Sequence, residues 1–174
     1  KKILIHDYAG HPFQFDLSRE LSIKYQVLHC YNSSNDTPQG KTKKIEGDLD
    51  TFDICPIVLS KKINKSSFIK RWFQEFTYGI ELLKVVNKYK PDIILSTNTP
   101  LEAQLMVLIY TKINKIKHIF WLQDMIAFSA SVILKKRNNL LGRFIGGYFS
   151  FLEKTIAKLS NFIIVTMDSH IEIV

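Results

Sequence analysis

A carboxamide and a carboxylate stand side by side at Gln123-Asp124, the polar end of the apolar run "HIFWLQD". Two readings are open for Asp124. Its carboxylate can close the end of a strand by accepting local amides, or it can accept a proton or hold hydroxyl groups of a ligand. Three other apolar runs end in polar residues: "KILIHDY" leads into Ala9-Gly10-His11, "DIILSTN" into Thr97-Asn98-Thr99, and "NFIIV" into Thr166-Met167-Asp168-Ser169. Gly10 lacks a Cβ, so backbone there can come close to a ligand. His11, just before Pro12, is a turn residue or a ligand contact. Asp7 is a candidate of the same double kind, since it can bond backbone amides of the turn that follows it.

Other chemistries lack their residues. No GxGxxG or P-loop sequence occurs, which disfavours a dehydrogenase-type dinucleotide site and a P-loop nucleotide hydrolase. HxxxH, HExxH and GxSxG are absent as well, which removes the simple metal and serine-hydrolase readings. Cys30 and Cys55 lie in strand-like runs with no His or Cys at metal-ligand spacing, and both read as buried, inert thiols. No metal and no resident cofactor are expected.

The elements that must position these residues alternate between short apolar runs and amphipathic stretches, the signature of βαβ units. The expected fold is α/β, a Rossmann-like open parallel sheet with helices on both faces and one domain over residues 1–174. In such a sheet the four polar strand ends fall along one rim, where ligands bind. A helix follows Pro12, with Phe13, Leu17 and Leu21 at helical spacing. From Asn32 to Asp50 the composition turns to Asn, Ser, Thr, Gly and Lys, a long polar loop and the least ordered stretch expected. "FDICPIVL" carries Pro56, which suits an edge strand or a bend. The longest helix is expected from Ser67 to Tyr89, with Ile69, Trp72, Phe73, Phe76, Ile80, Leu83 and Val86 as its apolar stripe. Thr99, Pro100 and Glu102 have the spacing of a capping box that opens a deeply buried helix. A helix from Asn139 to Ser160 places Leu141, Phe144, Ile145, Tyr148, Leu152, Ile156 and Leu159 on one side, and "NFIIVTM" reads as a further buried strand. Ser169 and Glu172 repeat the capping pattern just before the last residue, which suggests a piece of a longer protein.

The 174 residues hold 24 Lys+Arg against 16 Asp+Glu, a net charge of +8 that favours anionic partners without choosing among them. The clusters "KTKK", "KKINK" and "KKR" also suit solvated loops and helix faces. No apolar run is long enough to span a bilayer and no signal peptide is evident, so a cytoplasmic location is expected.

The order of these segments resembles the N-terminal domain of family-four, group-one glycosyltransferases. "KILIHDYAGHPFQFDLSRELSIKYQVLHCY" is similar to the opening strand, Gly-containing loop, helix and second strand of that domain. "PDIILSTNTPLEAQLMVLIYTKI" is similar to its PD-strand and apolar helix, "HIFWLQDM" to the Gln-Asp strand of members that build bacterial surface polysaccharides, and "LEKTIAKLSNFIIVTMDSH" to the helix and strand before the domain crossover. The resemblance implies a GT-B enzyme with two Rossmann-like domains, of which this chain is the acceptor half and is inactive alone. A nucleotide-sugar donor would sit on a second domain, and the acceptor would be a polysaccharide or a lipid-linked sugar, in one form polyprenyl-diphosphate-linked. Gln123 and Asp124 take the place where the family often has a His near the transferred sugar, and are the catalytic candidates. Gly10, His11, Thr97 and Asn98 are the substrate-binding candidates, with the Ala9-Gly10-His11 amides near donor phosphate. Tyr25-Gln26 replaces the usual Gly-His after the first helix. Lys61, Lys62, Lys70, Arg71 and Trp72 would touch an anionic membrane, placing the protein at the cytoplasmic face. Two alternatives stay open: a nucleotide-sugar epimerase of GT-B fold, and a non-catalytic basic module for nucleic acid or membrane. Nucleic acid is not the expected partner.

Overall fold

A computed structural model of the protein describes residues 1–35, 38–60, 67–97, 99–124 and 139–166, with the side chains of Phe68, Asn139 and Leu141 outside that description. Its elements in chain order are β1 Lys2–Asp7, α1 Pro12–Ser22, β2 Gln26–Asn32, β3 Phe52–Ile57, α2 Phe68–Tyr89, β4 Ile93–Thr97, α3 Leu101–Ile113, β5 Lys117–Leu122, α4 Asn139–Leu159 and β6 Phe162–Val165. The strands form one parallel sheet in the order β3-β2-β1-β4-β5-β6. This is the Rossmann order, with its reversal between β1 and β4.

Strand β1 shows why the sheet is covered on both sides. Its run Ile3-Leu4-Ile5 is apolar without alternation, as both-face burial requires. Ile3 and Ile5 pack with Phe15 of α1 and Val27, while Leu4 packs with Tyr78, Leu82 and Val86 of α2 and with Val107 of α3. Helices α2, α3 and α4 share that second face, where Leu101 and Leu108 meet Phe120, Phe149, Leu152 and Ile156. Helix α3 is wedged between its two neighbours, as its nearly all-round apolar sequence implies. A Cβ on Gly79 would lie 3.1 Å from the Ala103 Cα, so glycine is what lets α2 and α3 come this close. Pro56 stands on the outermost strand, β3, where its missing N–H breaks no central ladder. Ser67 caps α2 by accepting from the Lys70 amide at 3.4 Å.

Several expectations need correction. The inward side of α2 is Tyr78, Leu82 and Val86; Ile69 is 67% and Phe73 59% exposed, and Phe76 and Ile80 are exposed too. Of the expected stripe, Val86 is in the core and Leu83 packs against it, but the helix has more apolar surface than sheet and α3 can cover, and periodicity included residues that stay exposed. Helix α1 turns Gln14, Phe15, Ser18 and Ser22 inward and leaves Phe13 48% exposed. Of its buried polar groups, Gln14 Nε2 donates to Thr97 Oγ1 and Ser18 Oγ pairs with His29 Nδ1 at 2.7 Å, while Gln14 Oε1 reaches no partner among the described residues. In α4, Leu152 and Ile156 are buried as expected, but Phe144, Tyr148 and Leu159 are exposed. Strand β6 is an edge whose Phe162, Ile163 and Ile164 are exposed, not a buried strand.

The polar stretch after β2 is anchored along α1. Arg19 Nε donates to Asp48 Oδ1 at 2.7 Å, the Gly40 amide to the Gly10 carbonyl at 2.8 Å, and Gln39 Nε2 to the Asn32 carbonyl at 3.0 Å. A Cβ at Gly40 would stand 2.7 Å from the Pro12 Cα. The loop therefore fills the place of a crossover helix on the α1 face.

Candidate functional site

The described strand ends, those of β1, β4 and β5 and Thr166 after β6, lie along one rim, and residues 167–174 lie outside the described residues. At the end of β1, the buried Asp7 carboxylate accepts the Ala9 amide at 3.1 Å and the His11 amide, and His11 Nδ1 lies 3.4 Å from Asp7 Oδ1. The turn-closing reading of Asp7 thus holds. Two amides of the Gly10 loop are aimed at Asp7 rather than outward, which alters the expectation that they serve a donor phosphate. Gly10 is buried at φ 75°, a left-handed conformation that favours glycine, and Tyr31 and Gln39 close over it. Burial pushes the Asp7 carboxyl up, while the two amides and His11 hold it down. At the mouth of the loop, His11 faces the Phe13 ring at 5.6 Å, and Phe13 meets Trp121 edge-on at 6.0 Å.

Beneath the rim lies a buried network that the sequence did not announce. His6 Nε2 pairs with Tyr78 Oη at 2.8 Å, and His6 Nδ1 with Thr99 Oγ1 at 3.1 Å and Ser96 Oγ at 3.2 Å. Burial, with lesser repulsion from His29 and His118, lowers His6 to about 3, so it is a neutral linker. The signal for it was positional: His6 follows Leu4 by two residues in β1, so it faces the same core and needs partners there.

The capping box is not formed. Thr99 Oγ1 donates to the Thr97 carbonyl at 2.6 Å, and α3 starts after Pro100 without a side-chain cap. Glu102 instead accepts Trp72 Nε1 at 2.7 Å and Tyr148 Oη at 3.3 Å, tying α2, α3 and α4 together. Above it opens an apolar groove of about 340 Å³ lined by Ile69, Trp72, Phe144, Ile145 and Tyr148. Phe144 is 73% exposed at its edge. Helices of a parallel α/β sheet run back against the strands, so the first turns of α2 and α3 lie at the strand-end rim.

At the end of β5, Gln123 and the exposed Asp124 line a small cleft with Thr99, Leu101, Gln104, Trp121 and Glu153. Its volume is about 10 Å³, room for a single water. Gln104 Oε1, Gln123 Nε2 and Trp121 Nε1 are all buried atoms that reach no hydrogen-bond partner among the described residues. Buried polar atoms are nearly always satisfied, so the unmet Gln104 and Gln123 atoms beside this carboxylate mark a place for one water-sized polar group, while the Trp121 ring packs on the α1 face of the sheet. Gln104, Glu153 and Trp121 were missed by sequence reasoning because each sits inside an apolar pattern.

The structure thus brings Gln123 and Asp124 together and places Gly10 and His11 on the same rim. Thr97 is buried there, with its hydroxyl turned to Gln14. Asn98, Lys61 and Lys62 lie outside the described residues. Lys70 and Arg71 flank Trp72 in the first turn of α2, with Arg71 paired to Glu75 at 2.7 Å. Among the described residues no group of acids, histidines and cysteines could hold a metal, and no helix is long and apolar enough to cross a membrane.

The fold is an open α/β domain of Rossmann type with polar residues along its strand ends. No protein-family model matches the chain, and no curated protein matches it. Among solved structures it is similar to a UDP-galactose 4-epimerase at TM-score 0.42 and 8% identity, over 79% of this chain and 63% of that one. The chain therefore spans less than two thirds of that protein's length, and the likeness is one of sheet and helix arrangement.

Proposed function

We propose that this chain is the acceptor-binding domain of a sugar transferase, in which a nucleotide-sugar held by a second domain gives its sugar to a polysaccharide or lipid-linked acceptor seated here. One juxtaposition carries the reading. The unmet polar atoms around Asp124 lie one turn of α3 away from the apolar groove, since Thr99 and Leu101 line the cleft and Glu102 holds the groove's Trp72 and Tyr148. A lipid-linked sugar divides its surface in the same way, with hydroxyls at one end and hydrocarbon at the other.

In this scheme Asp124 accepts the proton of the attacking acceptor hydroxyl while Gln123 and Gln104 hold that one water-sized hydroxyl in line. His11 and the Phe13 and Trp121 rings flank the same rim. The groove takes the start of the lipid, and exposed Lys70 adds about 1 kcal/mol of attraction to an anionic membrane surface. Arg71 adds less, because Glu75 already neutralises it.

Calorimetric titration of the chain with a short-chain prenyl-diphosphate sugar, and with the same sugar lacking the tail, tests this. Phe144→Asp, an exposed and fold-neutral change, is expected to weaken the tailed ligand about tenfold and leave the tail-free one unchanged. Equal weakening of both, or no preference for the tailed compound, contradicts the proposal.

A further inference from the structure

The two cysteines read from the sequence as inert thiols stand directly opposite each other, Cys30 of β2 in register with Cys55 of β3. Both pack on the α2–α3 face of the sheet. Adjacent strands are about 4.8 Å apart, so the register sets the two thiols side by side in one cluster. Their surroundings differ. Cys30 is fully buried among Tyr78, Leu82 and Leu4, whereas Cys55 lies on the edge strand and is partly open to solvent. The Cys30 thiol beside it, with Lys88 of the last turn of α2 nearby, holds the Cys55 thiol down to about 7. The neighbouring Cys55 thiol and burial push Cys30 well up. An accessible thiolate with a second thiol poised against it is the arrangement of a peroxide-reactive pair.

We propose that Cys55 is an oxidation site for hydrogen peroxide and that Cys30 is its resolving partner. In the first step the Cys55 thiolate attacks a peroxide oxygen: an S–O bond forms, the O–O bond breaks, and hydroxide leaves and is protonated to water. The sulfur is oxidised to sulfenic acid and the peroxide is reduced. In the second step Cys30 gives up its proton and attacks the Cys55 sulfur: an S–S bond forms, the S–O bond breaks, and the hydroxyl leaves with that proton as water. The product ties edge strand β3 covalently to β2. Side chains in register on parallel strands start slightly farther apart than the roughly 3.8 Å between Cβ atoms that a disulfide prefers, so the bridge is strained and readily reduced. None of this depends on the sugar-transfer reading.

Reduced protein treated with a few equivalents of hydrogen peroxide is followed by intact-mass spectrometry and peptide mapping. The expected product is two hydrogens lighter, carries a Cys30–Cys55 linked peptide, and returns to the starting mass with dithiothreitol. C30S is expected to stop at a Cys55 sulfenic acid that dimedone traps, and C55S to be inert at the same dose. A second measurement needs no variant: limited iodoacetamide treatment of the native protein labels Cys55 at least about ten times faster than Cys30. Labelling of Cys30 first, equal labelling of both, or oxidation only to intermolecular disulfides overturns the proposal.

Discussion

Taking the protein from pH 7 to pH 5 is expected to lower its melting temperature by about 10 °C. Burial holds His6 and His29 at about 3 and His118 at about 4, against an ordinary value of 6.5. Above pH 6.5 all three are neutral in both folded and unfolded chains and contribute no pH dependence. Below it the unfolded chain takes up protons that the folded one refuses, so stability falls with pH until each folded value is reached. Each histidine removes about 1.4 kcal/mol per pH unit across that window. Asp7 and Glu75 work the other way. Burial raises both carboxyls, so the folded chain binds their protons earlier and gains stability as pH falls through those raised values. Three histidines against two acids leave a net loss. Thermal melts by circular dichroism between pH 7.5 and 4.5 check it, and a flat profile from pH 6.5 to 5 would show that the histidines titrate normally.

Replacing Tyr78 by alanine is expected to cost about 3–5 kcal/mol of stability, the range for emptying a core aromatic site. Tyr78 is fully buried, stacks on His6 at 5.5 Å, meets Tyr8 edge-on at 4.8 Å and holds His6 Nε2 through its hydroxyl at 2.8 Å. Tyr78→Phe separates packing from bonding: it keeps the ring and leaves His6 Nε2 with only the long 3.5 Å contact to Thr99 Oγ1, at a cost of about 1–2 kcal/mol. Urea unfolding of the two variants measures both. A Tyr78→Ala loss under 1 kcal/mol would mean that the network is not a structural anchor.

What the residues made legible were features with a local cause. Pro56 excluded a central strand, Ser67 marked the start of α2, and apolar runs ending in polar residues placed the rim at Gly10, Gln123 and Asp124. The alternation of strand and helix signals gave the parallel Rossmann-like sheet. Where reading failed, two partners could satisfy the same pattern. Glu102 has capping-box spacing, yet its carboxylate bonds Trp72 and Tyr148 across three helices, a choice that depends on residues 30 and 46 positions away. Helix α2 carries apolar residues on more than one side, so only the position of Gly79 against Ala103 tells which side meets α3. Phe13 reads as core by spacing, but α1 is rotated so that Gln14 and Ser18 reach Thr97 and His29. The cysteine pair was invisible because register between β2 and β3 is a tertiary fact: Cys30 and Cys55 are unremarkable until the strands align.

The central claim is that the strand-end rim of this sheet binds a sugar acceptor. Backbone amide shifts recorded while a prenyl-diphosphate sugar is titrated into isotopically labelled protein test it most directly. Saturable shifts at Gly10, His11, Gln123 and Asp124, with side-chain shifts of the Trp72 and Trp121 indoles, are the predicted result. Shifts confined to the exposed β6 edge, or none at saturating ligand, would contradict the account.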